Sequence, residues 1–311
     1  MAMTPWGPIP VHDAHVHFFS PAFYSGLRKQ KGLEDTADLA PLLPWQIPAS
    51  PAELAGRWVA ELDLRGVDRC CLIASAPGDE ASVAAAVAAY PQRFFGHFML
   101  DPTQPDAVER VTAAAANPHL HCLCLFPALH RFSMQDARVT PLLELAASGN
   151  LAVFVHCGVI SIGVRKKLGL PTLCDMRFSN PLDLHSIALR FPTVRFIVPH
   201  FGAGMFREAL MLADLCPNVW LDTSSTNRWM DYEGLDLARI FRRSIDLIGS
   251  ARLLFGTDSS FFPRGWNASV FEQQCAALHS LGLGASEARQ IFGENLGRFY
   301  ALRPDIIRAR S

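Results

Sequence analysis

Residues 194–222 read VRFIVPHFGAGMFREALMLADLCPNVWLD, and this stretch decides the fold. Val194–Pro199 is an apolar run of strand length, Met205–Leu215 repeats apolar residues at helical spacing, and Val219–Asp222 is a second short apolar run. Two strands joined through a helix are the unit of a parallel sheet. Outward from it the same unit recurs. Further strands are predicted at Val11–His15, Asp68–Ala74, Phe94–Leu100, His121–Phe126, Leu151–His156 and Leu253–Gly256. Helices are expected at Ala52–Leu64, Glu80–Ala89, Asp106–Ala116, Thr140–Ala147, Leu182–Arg190, Leu235–Ile248 and Ser269–Leu281, with a closing pair at Ser286–Phe292 and Asn295–Tyr300. The strands are rich in Val, Ile, Leu, Phe and Cys rather than alternating, as in parallel strands covered on both faces. Eight such units in 311 residues predict an α/β fold, a (β/α)₈ TIM barrel, as one domain over residues 1–311. The stretches 17–50 and 158–181, after the first and fifth strands, are longer than a barrel needs and read as lid loops.

Composition narrows the function. Half the residues are hydrophobic and 18% are charged, enough for a packed core. Lys and Arg total 28 against 29 for Asp and Glu, which gives no basic footprint for nucleic acid or an anionic membrane surface. No apolar stretch approaches the roughly 20 residues of a membrane span, and the N-terminal residues lack a signal-peptide pattern. The eight cysteines include no C-x-x-C pair. Cys122 and Cys124 alternate within one apolar run, so they read as buried hydrophobes in a reducing, cytoplasmic compartment.

The strand ends carry the chemistry. Asp13-Ala-His15-Val-His17 closes the first strand, and residues two apart on a strand face one side, so His15 and His17 can meet one cation. VFVH ends the fifth strand at His156, FIVPH the sixth at His200, and LLFGTD the eighth at Asp258. A lone His or Asp at such a position is ordinarily a hydrogen-bonded core residue or a helix cap. Four strand ends bearing ligand types on one face of a barrel form the convergence that a metal site requires.

This pattern resembles the amidohydrolase superfamily, closest to the branch that holds aminocarboxymuconate semialdehyde decarboxylase, resorcylate decarboxylases and pyrone-dicarboxylate lactonase. RFFGHFMLDP, RFPTVRFIVPHFGAG, NVWLDTSS, RLLFGTDSSFFP and IFGENLGRFY support it, so that it runs from Asp13 to Tyr300. The resemblance implies one divalent cation, zinc first and manganese as the alternative, on His15, His17, His156 and Asp258. It also implies His200 and Asp258 as catalytic acid or base. The fourth strand, LHCLCLF, has no Lys or Glu to bridge a second metal, which favours a mononuclear site.

Substrate contacts are expected from the loops: Arg177, Arg228, Arg264, Trp266 and His130, with Arg165, Lys166, Lys167 and Arg131 nearby. Arginine forks suit carboxylates, so the substrate is expected to be small and carboxylated. Phe18, Phe19 and Trp45 are candidates to stack on a planar ring. The apolar stretch 40–48 suits either a lid or an interface between copies of the chain in a homo-oligomer. The leading reading is a metal-dependent hydrolase that uses an activated water on a lactone, amide or ring-cleavage product. The alternative is a non-oxidative decarboxylase of an aromatic or muconate-like acid. A barrel that binds without catalysing is the weakest of the three.

Overall fold

The computed structural model describes residues 1–224 and 228–301. Eight strands form one parallel sheet in chain order: β1 His12–Phe18, β2 Arg69–Ala74, β3 Phe94–Leu100, β4 Cys122–Leu125, β5 Ala152–Val155, β6 Phe196–Val198, β7 Val219–Asp222 and β8 Leu253–Leu254. The first and last strands meet through Ala14 N–H to Phe255 O (2.7 Å), Asp258 N–H to His15 O (3.0 Å) and His17 N–H to Ser259 O (2.7 Å), and the sheet closes into a barrel. Successive residues of each strand sort into two cores. Cys71 and Ile73 join an inner cluster with Cys122, Cys124, Phe154, Ile197 and Trp220, while Cys70 and Leu72 face the outer layer of helices. The run-like strands thus reflect burial on both faces.

Strand and helix boundaries differ from expectation by a few residues, with exceptions that have local causes. The helix expected at Leu182–Arg190 begins as a 3₁₀ turn over Pro181–Leu184, where Pro181 takes the first position and the Asn180 side chain accepts from Leu182 N–H. The closing helices are joined by a π-helical turn over Gln290–Glu294. An N-terminal hairpin, Ala2–Thr4 with Gly7–Ile9, was not expected. The final helix, Asn295–Ala301, puts Leu296, Phe299 and Tyr300 against the inner cluster and so closes the end of the barrel opposite the expected ligands.

One irregularity in β1 sets the site. The register passes from Asp13 opposite Cys70 to Val16 opposite Leu72, three residues along β1 for two along β2. This bulge turns Asp13 away from the side that His15 and His17 share. Its carboxylate instead accepts from His15 N–H (2.9 Å), Thr257 N–H (3.1 Å), Thr257 Oγ1 (2.5 Å) and Trp266 Nε1 (2.7 Å). Burial lifts Asp13 to about 6, and these four donors work in the opposite sense, toward the ionised form. Asp13 therefore clamps β1 to the segment after β8.

The two long loops form the lid. Helix Pro21–Lys31 follows β1, capped by Ser20 Oγ accepting from Ala22 N–H and ended by Gly32 in the left-handed region. Phe23, Tyr24, Leu27, Leu39 and Leu43 from this loop share a small core with Val164 and Leu168 from the loop after β5. Leu43 of the stretch 40–48 is buried there, while Leu42 is 43% exposed. Among the described residues no helix is long and apolar enough to cross a membrane, and all eight cysteines are free thiols, seven of them buried. Residues 225–227 of the loop after β7 and residues 302–311 of the expected domain lie outside the described residues.

Candidate metal centre

His15, His17, His156, His200 and Asp258 line one cavity at the ends of the strands. Asp258 Oδ1 stands 3.0 Å from His17 Nε2 and 3.6 Å from His15 Nε2, and the three residues offer ligand atoms all within 4.8 Å of one another. The His200 ring is centred 4.9 Å from that of His15 and 5.3 Å from that of His156. Barrel strands tilt toward a common mouth, which is why side chains distant in sequence meet here.

The neighbours of these rings decide which nitrogen is available. His15 Nδ1 lies 2.6 Å from Asp222 Oδ2. A carboxylate only accepts, so Nδ1 holds a proton and Nε2 is the nitrogen turned toward Asp258 in the cavity. Ser75 Oγ donates to Ile73 O and therefore accepts from His17 Nδ1 (2.8 Å), which turns His17 Nε2 toward the Asp258 carboxylate. His200 Nδ1 donates to Ser224 O (2.9 Å), with Ser224 Oγ 3.0 Å away. His156 is buried and its Nδ1 has no hydrogen-bond partner. Second-layer bonds of this kind orient imidazoles at metal sites. The Nε2 atoms of His15 and His17, the Asp258 carboxylate and the buried His156 nitrogen without a partner fit a divalent ion of the zinc or manganese class.

The electrostatics favour a positive charge at this point. Burial opposes the charged form of His15, yet Asp222, with Asp258 and Asp13, lifts it to about 9. Burial would also raise Asp258, but the hydrogen bond from His17 and the charge of His15 hold it well below the usual carboxylate range. His156 and His200 are pushed down by burial and then by neighbouring histidines, so both are neutral.

The backbone around these groups is strained. His200 (φ 55°) and Asp258 (φ 57°) occupy the left-handed region, which costs a non-glycine residue about 1–3 kcal/mol. Gly256 is required by crowding: a Cβ there would lie 2.5 Å from Asp222 Oδ1 and 3.0 Å from His15 Cβ.

The cavity has a volume of about 590 Å³. One wall is a stack of Phe23 on Phe19 (3.9 Å), Phe19 near Trp45 (5.9 Å) and Trp45 on Phe261 (4.1 Å). Lys167 Nζ sits 5.5 Å over Trp45, and the Arg264 guanidinium 4.5 Å over Phe261, with Nη2 donating to Ser260 Oγ (2.9 Å). Arg165 also lines the cavity but is committed to the lid, donating to Pro171 O and to Gln30 of the opposite loop.

Of the expected substrate contacts, Arg264 and His130 line this cavity and three do not. Trp266 is 3% exposed and lies behind β1, its indole N–H spent on Asp13, so the expectation that it meets substrate is corrected. Arg177, 83% exposed, folds back on Asp175 two residues earlier, and Arg228, 92% exposed, on Asp231. Both pairings are local, and neither side chain lines the cavity. Phe18 is buried in the outer core, while Phe19 and Trp45 form the wall. Sequence reasoning assigned no role to Asp222, Ser224 or Ser75. The signal was present for Asp222, which ends NVWLD as the other ligand positions end their strands.

Comparison with known proteins agrees with this geometry. The amidohydrolase family model matches residues 12–302. Protein fluG of Emericella nidulans is 36% identical over 85 residues, 27% of this chain and 10% of fluG, so the match spans about a tenth of that relative's length. A 5-carboxyvanillate decarboxylase from Novosphingobium aromaticivorans, solved with bound manganese and 3-methoxy-4-hydroxy-5-nitrobenzoic acid, superposes with a TM-score of 0.63 at 14% identity, covering 94% of this chain and 97% of its own. A probable 2-pyrone-4,6-dicarboxylic acid hydrolase from Acinetobacter baumannii, with citric acid bound, gives 0.60 at 13% identity, covering 94% and 100%. At such identities the two structures establish a shared fold.

Proposed function

The chain belongs to the amidohydrolase family and is an enzyme of it, and from that premise we propose that it hydrolyses a small carboxylated carbonyl compound, a lactone, an amide or a ring-cleavage product, at a single divalent metal centre. The observation that carries this reading is the opposed poise of two groups beside the same ligands. Asp258 is held as a carboxylate, and His200 is held neutral with its proton on Nδ1. His15, His17, His156 and Asp258 would hold the ion. A divalent ion so bound supplies a Lewis acid and brings the pKa of water toward about 7. Asp258 accepts the proton of the attacking water, because its carboxylate remains ionised across the neutral range. His200 Nε2 accepts a hydrogen bond from water or, once protonated, donates to the leaving oxygen. Arg264 and Lys167 stand at the aromatic wall, where they hold a carboxylate while the rest of the substrate packs against the wall.

A second reading, non-oxidative decarboxylation of an aromatic or muconate-like acid, is favoured by that same wall. An aromatic wall that carries cations suits a conjugated carboxylated substrate, which would lose its carboxylate and take a proton in its place, with Asp258 to relay it. The two readings part on their products. Enzyme loaded with zinc or with manganese is offered carboxylated lactones and hydroxybenzoic acids in ¹⁸O-labelled water. Hydrolysis places label in a product carboxylate with no gas released, and decarboxylation evolves carbon dioxide without that label. Turnover that persists in Asp258→Asn protein stripped of metal would overturn both.

A further inference from the structure

The barrel holds a second set of metal-binding side chains that the strand-end centre does not use. His97 on β3 stands opposite Cys122 on β4 in register, and Cys124 follows two residues on, so all three project to the same inner side. Each is 0% exposed, and a ring nitrogen and the two sulfurs lie within 4.8 Å of one another. His97 Nε2 is hydrogen-bonded to the Tyr300 hydroxyl, Cys71 Sγ is 3.9 Å from that hydroxyl, and His97 Nδ1 is buried without a partner. Met99 and Phe126, the next inward positions on these strands, line the catalytic cavity, and His97, Cys122 and Cys124 do not. The group therefore sits beneath that cavity, between it and the closing helix.

We propose that His97, Cys122 and Cys124 form a structural site for one thiophilic divalent ion of the zinc class, separate from the catalytic centre. In a tetrahedral zinc site, bonds of about 2.3 Å to sulfur and about 2.0–2.1 Å to nitrogen put ligand atoms less than 4 Å apart, within small rotamer adjustments of the spacing here. Two thiolates cancel the charge of a divalent ion, so the dry interior is left with no net charge. Binding releases two protons, one from each thiol, and neutral His97 contributes a lone pair. Cys71 and the Tyr300 hydroxyl are the nearest groups for the fourth position. Sulfur and imidazole select zinc over magnesium or manganese, whereas the nitrogen and carboxylate set at the strand ends admits several ions. An apolar packing role would leave that nitrogen of His97 with only the weak thiol of Cys122 beside it, whereas buried polar atoms are almost always well satisfied.

The test is made on full-length protein produced in cobalt-supplemented minimal medium, because a site this enclosed is filled as the chain folds. Wild type is expected to retain two equivalents of cobalt. A His15→Ala/Asp258→Asn variant should retain one, with a near-ultraviolet thiolate-to-cobalt charge-transfer band that nitrogen and oxygen ligands do not give. Cys122→Ser and Cys124→Ser should lose that band and that equivalent, with folding checked by circular dichroism. Where a cysteine variant fails to fold, the spectrum of the His15→Ala/Asp258→Asn protein decides alone. Absence of the band there, or its survival in the Cys122→Ser/Cys124→Ser protein, overturns the site.

Discussion

The floor and the rim of the catalytic cavity are built in different ways. On the floor, His15 and His17 sit within β1 and His200 two residues beyond β6, and each has a partner that fixes its ring: Asp222, Ser75 and the Ser224 carbonyl. At the rim, Arg264, Lys167, His130, Trp45 and Phe261 ride on loops and lid, held largely by ring stacking, with Arg264 also donating to Ser260 Oγ and Asp258 O. A group whose position must hold to a few tenths of an ångström is placed on rigid strands, while groups that select the substrate sit where change is tolerated. Substitutions on the floor should therefore strike turnover and metal, and substitutions at the rim should strike substrate affinity.

The largest effect is expected from Asp258→Asn, which on the proposed function removes both a ligand and the base. kcat should fall by about 10²–10⁴-fold with metal content reduced and the circular dichroism spectrum unchanged. Near-normal turnover at full metal content would move the base elsewhere on the floor. Next comes Asp222→Asn, which leaves every ligand in place and removes the carboxylate that orients His15. Metal affinity should weaken by roughly 10–100-fold, measured by competition with a chromophoric chelator, and activity should return at high metal. An unchanged affinity would mean that the bulged strand alone orients His15.

The division between floor and rim is also the division between what could and could not be read from the residues. Strand ends are legible because an apolar run that stops at His or Asp announces both the element and the direction in which its last side chain faces. Hence His15, His17, His156, His200 and Asp258 are found together. Even there, parity alone misleads: Asp13, His15 and His17 share it, and only the bulge after Asp13 separates them. Asp13 and Trp266 were thus illegible as a pair, since 253 residues separate two halves of one buried hydrogen bond. Loop residues have no period to reveal their direction. Arg177 and Arg228 did carry a warning, for each has an aspartate within three residues and the local ion pair wins over any distant one.

That contrast gives the smallest and most discriminating prediction. Arg264 packs on Phe261 and donates to Ser260, both in the cavity wall, so on the proposed function its guanidinium meets substrate from where it stands. Arg264→Ala should raise KM about tenfold, the lower end for a hydrogen bond to a charged group at a site open to water, with kcat little changed. Arg177→Ala and Arg228→Ala remove exposed cations whose partners are neighbours in sequence, and both should stay within about twofold of wild type in kcat and KM. Steady-state kinetics on all three variants with the same substrate orders them. A KM for Arg228→Ala as high as that for Arg264→Ala would show that the segment after β7 folds over the cavity when substrate is bound, and the rim would then extend to a third loop.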